Sequence, residues 1–266
     1  METTLYPSDL TDAQWEILRW LLPKAKRRGR RPRDRRLILD GIFYVLRTGC
    51  GWAYAPVEYG PWKTLYDVFR RLTRLGVWQR LHDALRARVR QAVGKTPQPT
   101  AAVLDSQSVK TAEQGGLSGY DAGKKVKGRK RTILVDTLGL LLAVRVASAA
   151  EQDRDAARPF LERVLAWWVR LQTIFADGGY AGTLVAWVKA QRPRGGLHLE
   201  IVRKTAGQVG FAVLPKRWVV ERTFGWLLKQ RRLTRDYERH TTHSEAFIYI
   251  AMLRLMLNRL AKSKQK

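Results

Sequence analysis

The chain has 266 residues, 45% of them hydrophobic, enough for one large domain and a small one and too apolar for a disordered chain. Lysine and arginine number 50 against 23 acids, and a net charge of +27 repels itself unless a polyanion neutralises it. Nucleic acid is the leading partner, an anionic membrane surface the weaker one. The single cysteine, Cys50, rules out a disulfide within the chain and a cysteine zinc site, and its apolar setting reads as an inert buried thiol.

Met1–Asp9 is polar and acidic, unlike a signal peptide, and the apolar run Ile248–Leu253 is too short to span a membrane. The expectation is a cytoplasmic protein with no membrane contact. The first helix is expected over Leu10–Leu22, opened by a capping box of Thr11 and Gln14 and closed by Pro23, with Trp15, Leu18 and Leu22 inward. KAKRRGRRPRDRR follows, with Arg28, Arg30, Arg31 and Arg33 around Gly29 and Pro32. It reads either as a solvated linker or as an extended arm for a DNA minor groove. A second helix, Leu37–Thr48, ends at Gly49. After the loop GWAYAPVEYGPW, Pro61 opens a third helix to Leu75, whose outer side carries Lys63, Arg70, Arg71 and Arg74. A fourth, Val77–Val93, is also arginine-rich. Short helices with a basic face describe a helix-turn-helix-like DNA-binding module over residues 1–94, or else a helical cap with a solvated face.

Residues 95–100, within GKTPQPT, form a linker, and the remainder, 101–266, changes to strands. AAVLDSQSVK runs four small apolar residues into Asp105 and reads as a buried strand with a carboxylate at its C-terminal end. EQGGLSGYDAGKKVKGRKR, with Lys124, Lys125, Lys127, Arg129 and Lys130, reads as a mobile loop facing phosphate. A hairpin turning at Asp136–Gly139 follows, then a helix capped by Asp153 or Asp155 and running to Arg170. TIFADGG repeats the first grammar, an apolar run into Asp177. A helix at Thr183–Gln191, a strand at Leu197–Val202, the helical segment containing Glu221 and a C-terminal helix Ser244–Leu260 complete the order. That order matches an α/β fold, a mixed five-stranded sheet flanked by helices.

Asp105, Asp177 and Glu221 are the three carboxylates that two-metal phosphoryl transfer needs, since hard divalent cations prefer oxygen ligands. No Ser–His–Asp or Cys–His pairing competes, and His82, His198, His240 and His243 read as structural. The bland reading is that the aspartates cap turns and Glu221 makes exposed ion pairs. Of the rival acids, Asp121 has no such explanation, whereas local roles account for Asp136, Asp153 and Asp155. On a helical wheel, Arg217, Gly225, Leu228 and Arg232 fall within roughly 40° of Glu221, with Lys229 and Arg222 farther round, a face suited to a phosphodiester.

LTDAQWEILRWLLP, DGIFYVLRTGCGW and GPWKTLYDVFRRLTRLGVW resemble the N-terminal helical domain of IS5 family insertion-sequence transposases. LDSQSVKTAEQGG, GYDAGKKVKGRKRTILVDTLGLLL, QDRDAA, ADGGYAG and RWVVERTFGWLLKQRRLTRDYE resemble their catalytic domain, of the DDE (IS4-like) class. The resemblance is co-linear over nearly the whole chain. It implies an RNase H-like fold and an enzyme that cuts DNA at inverted repeats and joins 3′-hydroxyl ends to target DNA. It also implies Mg²⁺, with Mn²⁺ as a substitute and two ions expected, and a homodimer in a synaptic complex. It carries the metal-binding triad to Asp105, Asp177 and Glu221. The wider class has a Tyr–Arg–Glu–Lys signature here: Arg217 fits its Arg, but Leu214 stands at the Tyr position and Leu228, beside Lys229, at the Lys position. The alternatives are a nuclease of the same fold that cuts without joining, and a DNA-binding protein or repressor without catalysis.

Overall fold

The computed structural model describes residues 4–23, 34–113, 115–192, 196–202 and 215–263. In chain order it contains α1 (Asp12–Arg19), α2 (Arg35–Thr48), α3 (Trp62–Arg74), α4 (Val77–Ala92), β1 (Ala101–Lys110), β2 (Gly119–Asp121), β3 (Val126–Asp136) and β4 (Leu141–Ser148). Then come α5 (Asp153–Leu165), β5 (Thr173–Ala176), α6 (Thr183–Gln191), β6 (His198–Ile201), α7 (Pro215–Leu228) and α8 (Thr241–Ser263). The chain divides into two compact units, one of Met1–Lys95, Leu227–Arg235 and Thr242–Lys266, the other of Thr96–Trp226 and Asp236–Thr241. No helix among the described residues is long and apolar enough to cross a membrane.

In the helical unit the capping box is complete: the Gln14 amide donates to Thr11 Oγ1, and the Thr11 amide to the Gln14 side chain. Asp34 caps α2 by accepting from the amides of Arg36 and Leu37. Gly49 ends it at φ 76°, a left-handed turn that glycine makes without strain. Leu65, Phe69 and Leu72 of α3 are buried. Phe247 of α8 stacks on Phe69 with ring centroids 4.7 Å apart and lies 6.0 Å from Trp52. This aromatic packing explains why the last helix, expected with the strands from 101 onward, clusters with the N-terminal helices. Cys50 is half-buried rather than buried.

The second unit is built on a mixed sheet ordered β2-β3-β1-β5-β6, with β4 also paired to β3. β1, β3 and β4 are antiparallel neighbours, while β1, β5 and β6 run parallel. Beneath the sheet, Phe160, Leu161, Val164 and Leu165 of α5 and Leu184 and Val188 of α6 bury against Ala102, Leu104, Leu134 and Ile174. This α/β architecture is the RNase H-like arrangement that the resemblance implied, with β2 as a sixth, short strand.

Three expectations change. β1 continues to Lys110, so Asp105 is not at a strand end. β3 pairs with β1 from Ala102 to Lys110, whereas β5 pairs only with Ala101–Val103, which leaves Asp105 just beyond the parallel pairing. α5 stops at Leu165 rather than Arg170, because the Arg192 guanidinium takes the carbonyls of Leu165, Trp168, Val169 and Leu171 and turns the chain. The lysine-rich segment expected as a mobile loop is a hairpin, β2–β3, in which Arg129, Lys130 and Arg131 are buried. Gly128 permits the close approach of β1, since a Cβ there would sit 2.0 Å from the Val109 carbonyl oxygen.

Candidate active site

Asp105 projects from β1, and its Oδ1 accepts a 2.7 Å bond from the Ser106 amide. Burial pushes its carboxyl up to about 6, and the neighbouring charge of Asp177 works in the same direction, against that amide and the cations Lys124 and Arg217. Asp177 follows β5. Its Oδ1 caps the short 3₁₀ turn Gly178–Tyr180 by accepting from the Gly179 amide at 2.8 Å. Turn capping therefore does occur, but it uses one oxygen and leaves Oδ2 for other partners. Arg217 of α7 stands 3.9 Å from Asp177 Oδ2 and 3.7 Å from Glu221 Oε1, so one guanidinium links acids from two elements. Glu221 lies one turn after Arg217, and its side chain is 47% exposed. Gly225, on the next turn, has nothing within 4 Å of where a Cβ would stand.

The three carboxylates supply hard oxygen donors of the kind a divalent cation takes, and the mutual repulsion of Asp105 and Asp177 favours one. Among the described residues, no three His, Cys, Asp or Glu side chains are close enough together to hold a single ion. Placing Glu221 on the same ion as Asp177 requires the Arg217 guanidinium to leave its position between them.

Residues 96–257 match the family model of the transposase DDE domain, and residues 10–82 match that of a transposase of the IS4/5 family. The chain belongs to the insertion-sequence DDE transposases. A relative, the insertion element IS402 uncharacterized 16.2 kDa protein of Burkholderia cepacia, is 34% identical over 113 residues, covering 40% of this chain and 76% of that protein. This transposase is accordingly a metal-dependent, DNA-cleaving enzyme that uses a divalent cation and binds DNA.

Apart from Arg217, which is half-buried between its acids, the residues expected to meet DNA fall into three groups. Lys63, Arg70, Arg71 and Arg74 are exposed on α3, and Lys124, Lys125, Lys127 and Lys229 are exposed elsewhere. Arg28, Arg30, Arg31 and Arg33, like Leu214, lie outside the described residues. Arg129, Lys130 and Arg232 are buried, which corrects their assignment as phosphate contacts. Arg129 is met by Asp236 and Lys130 by Asp153. α7 ends at Leu228, so the wheel that grouped Arg232 with Glu221 extends past the helix. Arg232 donates to the Cys50 carbonyl and lies over the Phe247 ring. Sequence reasoning missed Asp153, whose carboxylate faces the sheet instead of capping α5.

Proposed function

We propose that this transposase, of the IS5 branch, binds the terminal inverted repeats of its element, cleaves them, and joins the 3′-hydroxyl ends to target DNA as a homodimer in a synaptic complex. Asp105, Asp177 and Glu221 are its metal ligands, for two Mg²⁺ ions that Mn²⁺ can replace. The observation that carries this reading is the Arg217 guanidinium between Asp177 and Glu221, beside the carboxyl of Asp105. Bound metal would supply electrostatic stabilisation of the attacking and leaving oxygens. Asp105 and Asp177 hold their oxygens on rigid β-sheet anchors, and Glu221 approaches from the helix. Arg217, displaced from the acids, is placed to grip a phosphate, which it can do with a two-pronged hydrogen bond. The exposed cations of α3 and of the β2–β3 turn (Ala122–Lys125) hold the duplex backbone.

Glu221→Gln should lower Mg²⁺-dependent cleavage of inverted-repeat DNA by about 10²–10³-fold while leaving binding of the uncut end near wild type. Arg217→Ala should weaken that binding about tenfold, the loss of a charge-assisted contact. A gel assay on both variants, with folding checked by circular dichroism, tests the reading, and wild-type cleavage by Glu221→Gln overturns the triad. A wild-type enzyme that nicks but never joins would be a nuclease instead.

Affinity should also fall steeply with salt. If DNA meets 6–10 cations, raising salt from 50 to 200 mM costs about 10³–10⁵ in affinity. A flat titration would contradict an extended phosphate-binding surface.

A further inference from the structure

Asp153 is the first residue of α5, yet the helix has no side-chain cap. Its Oδ1 accepts from Ser106 Oγ at 2.7 Å and lies 2.8 Å from Lys130 Nζ, while its Oδ2 lies 3.8 Å from Lys124 Nζ. Lys124 Nζ donates to both the carbonyl and Oγ of Ser106 at 3.2 Å. Ser106 follows Asp105 directly, so this network grips β1 at the residue after the first carboxylate, and the Lys124 charge acts on that carboxyl.

The turn that carries Lys124 is itself held in place. Asp121 Oδ1 accepts from the Lys124 amide at 3.0 Å, and Oδ2 accepts from Ser108 Oγ at 2.5 Å. Lys125 has φ 52°, a left-handed conformation that L residues rarely adopt and that surrounding contacts must sustain. The Lys124 side chain is nevertheless 42% exposed, so it is reached by solvent while it holds Ser106.

Also near Ser106 is Tyr180, three residues after Asp177. It is 1% exposed, and its hydroxyl has no hydrogen-bond partner. The charges of Asp105, Asp153 and Asp177 all act on it. The Ser106 hydroxyl is near it but outside hydrogen-bond geometry. An unmet donor and the partly exposed Lys124 thus both interact electrostatically with the Asp105 carboxylate.

We propose that Lys124 grips a non-bridging oxygen of the scissile phosphate, and that Asp153 is the positioning residue that holds Lys124 and Ser106 against Asp105. This rests on the reading of Asp105 as a ligand at the cleavage site. The test uses duplexes bearing the terminal inverted repeat, with either a natural phosphate or an uncharged methylphosphonate at the scissile position. Binding to the full-length protein is measured by fluorescence anisotropy with Ca²⁺ as the only divalent ion.

Wild type should bind the methylphosphonate duplex about tenfold more weakly. Lys124→Ala should lose about tenfold on the natural duplex and nothing further on the methylphosphonate. Asp153→Asn, which keeps an acceptor but removes the charge, should shrink the wild-type discrimination between the two duplexes. A purely structural role would lower both affinities equally. If the Lys124→Ala and methylphosphonate losses multiply, the Lys124 contact is overturned while the active-site reading stands. If wild type does not distinguish the duplexes, both fall.

Discussion

Asp105→Asn is expected to bind DNA ends, to cut them at least about 10²-fold more slowly, and to be more stable than wild type at neutral pH without metal. The two effects have one cause. Burial, reinforced by Asp177, raises the folded-state pKa to about 6 from an ordinary 3.8. The folded state therefore holds the proton more tightly than the unfolded chain does. The stability this contributes is fully present below about pH 4 and is lost as pH rises through 6. Above that, the ionised carboxyl carries a penalty of up to about 3 kcal/mol relative to its neutral form. Asparagine is neutral at every pH, and its side-chain oxygen can still accept from the Ser106 amide. The melting-temperature difference between variant and wild type should thus be smallest near pH 4 and grow towards pH 7, by about 2–4 °C per kcal/mol. Adding Mg²⁺ should raise the melting temperature of wild type more than that of the variant, since an ion that binds only the folded site stabilises it. An offset independent of pH would show that Asp105 ionises like an exposed acid.

The parts of the candidate site that were legible in the sequence are those with local grammar. An apolar run ending in an acid marks both Asp105 and Asp177; for Asp177 this is because a strand buried on its sheet faces must be apolar until it emerges, whereas β1 runs on past Asp105 to Lys110. The capping box at Thr11 and Gln14 is equally local. What stayed hidden depends on partners distant in sequence. Arg129, Lys130 and Arg131 stand in a stretch that reads as solvated because lysines and glycines surround it. Arg129 is nevertheless buried by Asp236, 107 residues later. Asp153 has the sequence position of a cap, and only the fold shows it facing Ser106. The end of α5 is set by Arg192, 27 residues beyond Leu165, and no propensity in the helix announces it. Arg232 failed for a different reason: a helical wheel assumes a helix that continues, and α7 does not.

Arg129→Ala should be among the most damaging single changes outside the acids. The guanidinium and the Asp236 carboxylate are 3.0 Å apart, with side chains 0% and 1% exposed. Arg129 also donates to the carbonyls of Leu117 at 2.7 Å, Glu238 at 2.5 Å and Arg239 at 2.9 Å. The Asp236–Thr241 segment, which continues onto the sheet through the Thr111–Asp236 bridge, is thus clamped to β3 by the Arg129 side chain. Truncating Arg129 removes the closest ion-pair partner of a buried carboxylate and a donor to three carbonyls, a loss of about 3–5 kcal/mol. Arg129→Lys should recover little, because an ammonium lacks the planar fork that reaches several acceptors. Replacing both members, Arg129→Met with Asp236→Leu, removes the buried charges together and should be milder than Arg129→Ala alone, though the carbonyls remain unmet. Denaturant unfolding of these variants, and of the single changes Arg129→Met and Asp236→Leu, measures this ordering, and limited proteolysis should find new cleavage between 236 and 241 in Arg129→Ala. If the double variant is as unstable as the sum of its single changes, the pair is not coupled and the clamp is not what holds the segment.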